Sequence, residues 1–161
     1  MPVQRLKQLL ENNHIRYVSI IHSTAYTAAA IAAMTHTPGK EIAKAVMVIL
    51  DDALAMVVVP GSKHVDIRAL KAAVGAKEAV VAHEHQFAHV FPDCEVGAMP
   101  PFGNLYDLPV YVDETLTEDK EIAFNAGSHR ELIKMTYADY AKLVQPQTIR
   151  VATSAAAQRI A

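Results

Sequence analysis

The stretch AKAVMVILDDALAMVVVP, residues 43–60, constrains the fold more than any other part of the chain. Two mostly apolar runs flank a short polar turn at Asp51 and Asp52, the pattern of a β-hairpin. Neither run alternates apolar with polar residues. Both faces of the hairpin must therefore be covered, and the remaining segments have to supply the cover.

Several segments can do so. In VQRLKQLLENNHI the residues Val3, Leu6, Leu9 and Leu10 recur at helical spacing and predict an amphipathic helix, followed by a short strand in RYVSIIH. Thr27 is a plausible N-cap for an alanine-rich helix that Pro38 and Gly39 end, and its small side chains suit close packing. DIRALKAAVGA predicts a third helix, with Asp66 as N-cap and Gly75 as the stop. EAVVA reads as a short strand or extended segment and HEHQFAHVF as a short helix or turn. Further on, LPVYVDETL is strand-like, EIAFNA and RELIKM form two strands joined at Gly127 and Ser128, and Thr136 with Asp139 opens a last helix.

Strands and helices thus interleave without a regular βαβ repeat. The expected class is α+β, with a curved mixed β-sheet or barrel-like core flanked by helices. At 161 residues and 52% hydrophobic content the chain suits one domain, spanning residues 1–161, with a substantial core. No apolar run is long enough for a membrane span and charges interrupt the N-terminal segment, so a cytoplasmic protein is expected. A single cysteine, Cys94, allows no internal disulfide. A net charge of -2 argues against a broad nucleic-acid footprint, while leaving room for a local contact with a nucleic-acid end.

Five features could carry chemistry. Lys44 stands near the start of an apolar strand, where its ammonium either snorkels to water or serves as a cation at a pocket rim. The loop VGAMPPFGN, residues 96–104, combines Gly97 and Gly103, which permit unusual backbone angles, with Pro100 and Pro101, which fix φ and remove donors. It is either a structural turn or a preorganised wall of main-chain groups. In FNAGSHRE, Gly127 allows a tight turn that carries Ser128 and His129; His129 suits binding or proton transfer better than Ser128 suits nucleophilic attack. His83, His85 and His89 leave a metal site incomplete, and Cys94 is either a nucleophile or inert packing.

Taken in order, AKAVMV with its strand lysine, GAMPPFG as Gly-x-x-x-Pro-x-Gly, and FNAGSH resemble the YbaK-like family, related to the editing insertion domain of bacterial prolyl-tRNA synthetases. The resemblance runs from about Arg5 to Val144. It implies a mixed α/β barrel-like fold and an aminoacyl-tRNA deacylase that needs no metal or organic cofactor. It also implies a functional role for Lys44, a Gly-x-x-x-Pro loop at Gly97 and Pro101, and a pocket histidine at His129.

On this resemblance the chain is expected to be a trans-editing enzyme that hydrolyses the ester of a mischarged small amino acid. Lys44 and His129 form the catalytic set. Gly97, Ala98, Met99, Pro101, Phe102, Gly103, Gly127 and Ser128 contact the substrate, with Ala45, Met47, Ala98, Met99 and Phe102 as candidate walls. The loop carbonyls are expected to receive the substrate ammonium group. The partners are the aminoacyl-tRNA 3′ end and, as an optional one, an aminoacyl-tRNA synthetase; no membrane is involved. Competing readings are a non-catalytic module that binds a nucleotide-like end, a Cys94-dependent hydrolase and a histidine-bound metal enzyme.

Overall fold

The structure is a computed structural model and describes residues 4–154. Its chain order is α1 (Gln4–Asn12), β1 (Val18–Ile21), α2 (Ala28–Thr35), β2 (Ala43–Leu50), β3 (Ala53–Pro60), β4 (His64–Val65), α3 (Ile67–Val74) and β5 (Ala79–Val81). Then follow α4 (Glu84–Phe87), β6 (Val110–Asp113), β7 (Glu121–Asn125), β8 (Glu131–Thr136), α5 (Tyr137–Val144), β9 (Gln147–Ile149) and β10 (Ala152–Thr153).

The hairpin is the centre. Strands β2 and β3 pair antiparallel from Ala43↔Pro60 to Leu50↔Ala53, and the turn residues Asp51 and Asp52 take φ of 47° and 71°. Positive φ at both positions is what a turn matched to the twist of its strands requires. The sheet grows on either side into the order β5-β2-β3-β6-β9, in which β5 adds antiparallel while β6 and β9 add parallel. A second, antiparallel sheet has the order β1-β8-β7, and β4 pairs with β10. A parallel bridge between Ile42 and Ala123 links the two larger sheets. The fold is α+β with an open, mixed central sheet, and the strands do not close into a barrel.

Alternation along β3 explains why its sequence is apolar throughout. Met56 and Val58 face a core shared with Leu6 and Leu10 of α1, Phe102, Phe124 and Tyr140. Ala55, Val57 and Val59 face the opposite side, under Ile67 and Leu70 of α3. Both faces are dry, as an unalternating strand demands.

Local signals set the helices. Thr27 Oγ1 accepts from the Ala30 amide at 3.1 Å, Asp66 from Ala69 at 3.1 Å, and Thr136 Oγ1 from Asp139 at 3.2 Å, so all three expected N-caps form. Gly75 closes α3 with φ 70°. The alanine-rich α2 ends at His36, ahead of Pro38, and lies so close to the β3–β4 turn that a Cβ on Gly61 would come within 2.7 Å of Ala28 Cβ. Leu6 and Leu10 of α1 are fully buried, and Lys7 pairs with the buried Glu131 of β8 at 2.9 Å. Val3, grouped with those leucines by spacing, lies outside the described residues.

The C-terminal strands depend on one carboxylate. Asp113 is 1% exposed; Oδ1 accepts from the Val151 and Ala152 amides, each at 2.8 Å, and Oδ2 accepts from the amide and hydroxyl of Thr115. Burial alone would raise its pKa, but these hydrogen bonds outweigh it and hold the carboxyl below the usual range.

Candidate functional site

A pocket of about 340 Å³ opens where β2 runs past the end of β5. Strand β5 pairs with β2 only from Val48 to Leu50, and the Ala82 amide extends the contact by one bond to the Met47 carbonyl, at 2.9 Å. Main-chain groups two residues apart on a strand point the same way, so those of Ala45 aim toward the side that β5 has vacated. Ala45 lines the pocket there.

The cavity wraps around this open edge. On one side it is lined by Lys44, Val46, His64 and Val65; on the other by Ala45, Met47, Phe87 and Met99, with Gly97 completing the wall. Lys44 Nζ donates to the Lys63 carbonyl at 2.8 Å, so the ammonium has a main-chain anchor in the β3–β4 turn. A pocket of this size is at the small end of ligand sites.

The loop of residues 96–104 forms one wall, but most of its carbonyls have internal partners. The Val96 carbonyl accepts from His129 Nε2 at 2.8 Å, Ala98 from the Gly127 amide at 2.9 Å, and Pro101 from the buried Tyr140 hydroxyl at 2.7 Å. Phe102 and Gly103 carbonyls accept from Leu105 and Leu108, at 2.9 and 3.0 Å. A general role for the loop carbonyls in receiving an ammonium group is therefore too broad. Among the pocket-lining residues of the loop, the carbonyls of Gly97 and Met99 are the ones that accept no backbone hydrogen bond from the described residues.

Its two glycines serve different ends. Gly97 has φ 86°, the left-handed region that other residues rarely adopt, and its amide approaches Met99 Sδ at 3.2 Å. Gly103 has no positive φ. Glycine is needed there for space, since a Cβ would sit 2.7 Å from Val110 Cγ2.

The turn of residues 126–129 braces the loop from behind. Gly127, at φ 94°, donates to Ala98 and accepts from Glu95 at 2.8 Å; the His129 amide donates to Glu95 Oε1 at 2.8 Å. A carbonyl only accepts, so the His129 proton sits on Nε2, facing Val96. Nδ1 is buried and has no hydrogen-bond partner among the described residues. Ser128 is buried, and its Oγ accepts from the Arg130 amide at 3.0 Å.

Of the residues singled out in the sequence, Lys44, Gly97 and Met99 meet in the pocket lining, together with Ala45 and Met47. Ala98, Pro101, Phe102 and Gly103 are buried outside the lining, and Phe102 packs against Phe124 and Tyr140. Gly127, Ser128 and His129 also lie outside the lining. Val46, His64, Val65, Val81, Ala82 and Phe87 also line the pocket and are not among the residues singled out in the sequence. The signal for Phe87 is its place as the apolar, buried residue of the short helix α4, among histidines that do not line the pocket.

Cys94 lies elsewhere, in a cleft with Arg5, Asp93 and Gly127. Burial pushes its thiol up to about 11, against the contact from Tyr106 and with help from Asp93, so it is protonated at neutral pH. His83 and His85 stack at 5.8 Å, and among the described residues no group of three or more His, Cys, Asp or Glu side chains is placed to hold a metal ion.

Residues 22–143 match the family model described as aminoacyl-tRNA editing domain. No curated protein matches the chain in sequence. Among solved structures, a protein described as hypothetical is 19% identical with a TM-score of 0.84, covering 93% of this chain and 100% of its own. A candidate trans-editing enzyme for prolyl-tRNA synthetase is 23% identical with a TM-score of 0.80, over 93% of this chain and 96% of its own. A candidate signal transduction protein from Marinobacter aquaeolei VT8 is 14% identical with a TM-score of 0.73, over 94% of this chain but 31% of its own. These likenesses establish the fold.

Proposed function

Because the chain belongs to the aminoacyl-tRNA editing domain family, we propose that it acts in trans as a deacylase, hydrolysing the ester that joins a mischarged small amino acid to the 3′ end of tRNA. The observation that carries the reading is the small pocket in which Lys44 meets the Gly97–Met99 wall at an open strand edge. The proposed unit is the whole chain, residues 1–161, working as one domain in the cytoplasm, where tRNA is charged.

An aminoacyl ester is already activated, which removes the need for a strong nucleophile. The site has to orient a water and stabilise the negative charge that forms on the carbonyl oxygen. Water oxygen bonds to the ester carbon, the bond to the ribose oxygen breaks, and a proton passes to that ribose oxygen. Lys44 supplies the cation for the oxyanion or the adjacent phosphate. The carbonyls of Gly97, Met99 and Ala45 face the substrate ammonium group. His129 holds the loop through Val96 and Gly127 through Ala98, Ser128 steadies their turn through the Arg130 amide, and no step calls on a metal or organic cofactor.

Selection rests on volume. Met47, Met99 and Phe87 close the pocket around a small side chain, and a larger cognate residue is excluded by overlap, whereas one methylene changes binding by only ~1–3 kcal/mol. The similarity to a candidate trans-editing enzyme for prolyl-tRNA synthetase favours tRNA charged by that enzyme with a residue smaller than proline, such as alanine. A panel of charged tRNAs tests the reading. Ester loss above the spontaneous rate for small amino acids supports it, and no hydrolysis of any member would leave a binding module in its place.

A further inference from the structure

We infer that Tyr26 is the stacking platform for the terminal base of the tRNA 3′ end, an inference that rests on the deacylase reading. Tyr26 is 76% exposed, the highest value given for a large hydrophobic side chain among the described residues. Such exposure forgoes the burial that normally fixes an aromatic ring, yet this ring is held. Its centroid lies 4.7 Å from that of the buried His129, at an interplanar angle of 52°. The residues on either side are pinned: Ala25 is 4% exposed and its amide donates to the His129 carbonyl at 3.1 Å, while Thr27 caps α2.

The ring also stands in a useful place. A Cβ on Gly97 would come 3.5 Å from His129 Cε1, and Gly97 lines the pocket. Tyr26 and the pocket-wall residue Gly97 thus both lie against the imidazole of His129. An ester bound in the pocket carries its ribose and terminal base outward, and a base leaving the mouth on this side meets an exposed, preordered aromatic face. Stacking needs no hydrogen-bond pattern, because every base has a π-face. The platform would register the presence of a base rather than its identity, which suits an end that is the same on every tRNA.

The test measures binding of two RNA hairpins, one ending in CCA and one in which the terminal nucleotide lacks its base. The wild-type protein should prefer the complete end by about 5- to 150-fold, the range expected for loss of one stacked base. Tyr26→Ala should abolish that preference, and Tyr26→Phe should keep it. Both variants should retain the wild-type melting temperature, since the side chain is exposed. Equal binding of the two hairpins by the wild type, or an undiminished preference in Tyr26→Ala, would overturn the inference. The deacylase reading is scored separately on charged tRNA: hydrolysis without base preference removes the platform alone, and base preference without hydrolysis removes the deacylase alone.

Discussion

His129 donates Nε2–H to the carbonyl of Val96 at 2.8 Å, which ties the turn after β7 to the residue that precedes Gly97 in the pocket wall. The same residue donates its amide to Glu95 Oε1, so side chain and main chain hold adjacent positions of one loop. His129→Ala should therefore act through the loop. It should lower kcat on charged tRNA by about 10²-fold, the cost of slight misplacement at a reacting centre, while the protein stays folded. His129→Gln, which can still donate to Val96, should recover much of the loss in steady-state assays. Equal losses in the two variants would give the imidazole a role other than holding the loop.

Gly97→Ala tests the backbone of that wall. At φ 86° an alanine is strained by about 1–2 kcal/mol, and its methyl group would stand 3.5 Å from His129. The variant should melt at lower temperature and lose turnover more than stability. Gly103→Ala should behave differently, losing stability through the clash with Val110.

Asp113 gives the fold an acid limit. Its carboxyl titrates lower in the folded protein than in the unfolded chain, where an aspartate sits near ~3.9. The group thus contributes stability above the unfolded value and loses it as the pH falls through the folded one. Asp113→Asn should cost about 3 kcal/mol near neutrality, because buried amides of Val151 and Ala152 lose their charged acceptor. It should also flatten the pH dependence of stability below about pH 4, as read by denaturant titrations from pH 7 to pH 2.

Cys94 should be dispensable for hydrolysis. With its thiol pushed up to about 11, alkylation at pH 7 should be slow, and Cys94→Ser should retain wild-type turnover. Rapid inactivation by a thiol reagent, with protection by substrate, would restore the cysteine as a nucleophile.

The parts of the fold that could be read from sequence are those with local causes. The β2–β3 hairpin, the caps at Thr27, Asp66 and Thr136, and the stop at Gly75 each rest on neighbouring residues. The parallel additions of β6 and β9 do not, and neither do the two-residue strands β4 and β10, which pair across distant sequence, β10 being held by Asp113 through the Ala152 amide. The same division runs through the site. Lys44, Gly97 and Met99 carried a signal in their own segments, whereas the pocket position of Ala82 follows from β5 ending early beside β2, and that of Val65 from the pairing of β4 with β10. Phe102 read equally well as wall or core, and its contacts with Phe124 and Tyr140 put it in the core.

The most direct measurement compares wild type with Lys44→Ala on tRNA charged with alanine, following release of the amino acid. Removing a group that stabilises a developing oxyanion commonly costs about 10²- to 10³-fold. Wild-type hydrolysis well above the spontaneous rate, with a loss of that order in Lys44→Ala and an unchanged melting temperature, is the predicted result. Hydrolysis at the same rate in both proteins, or in neither, would contradict it.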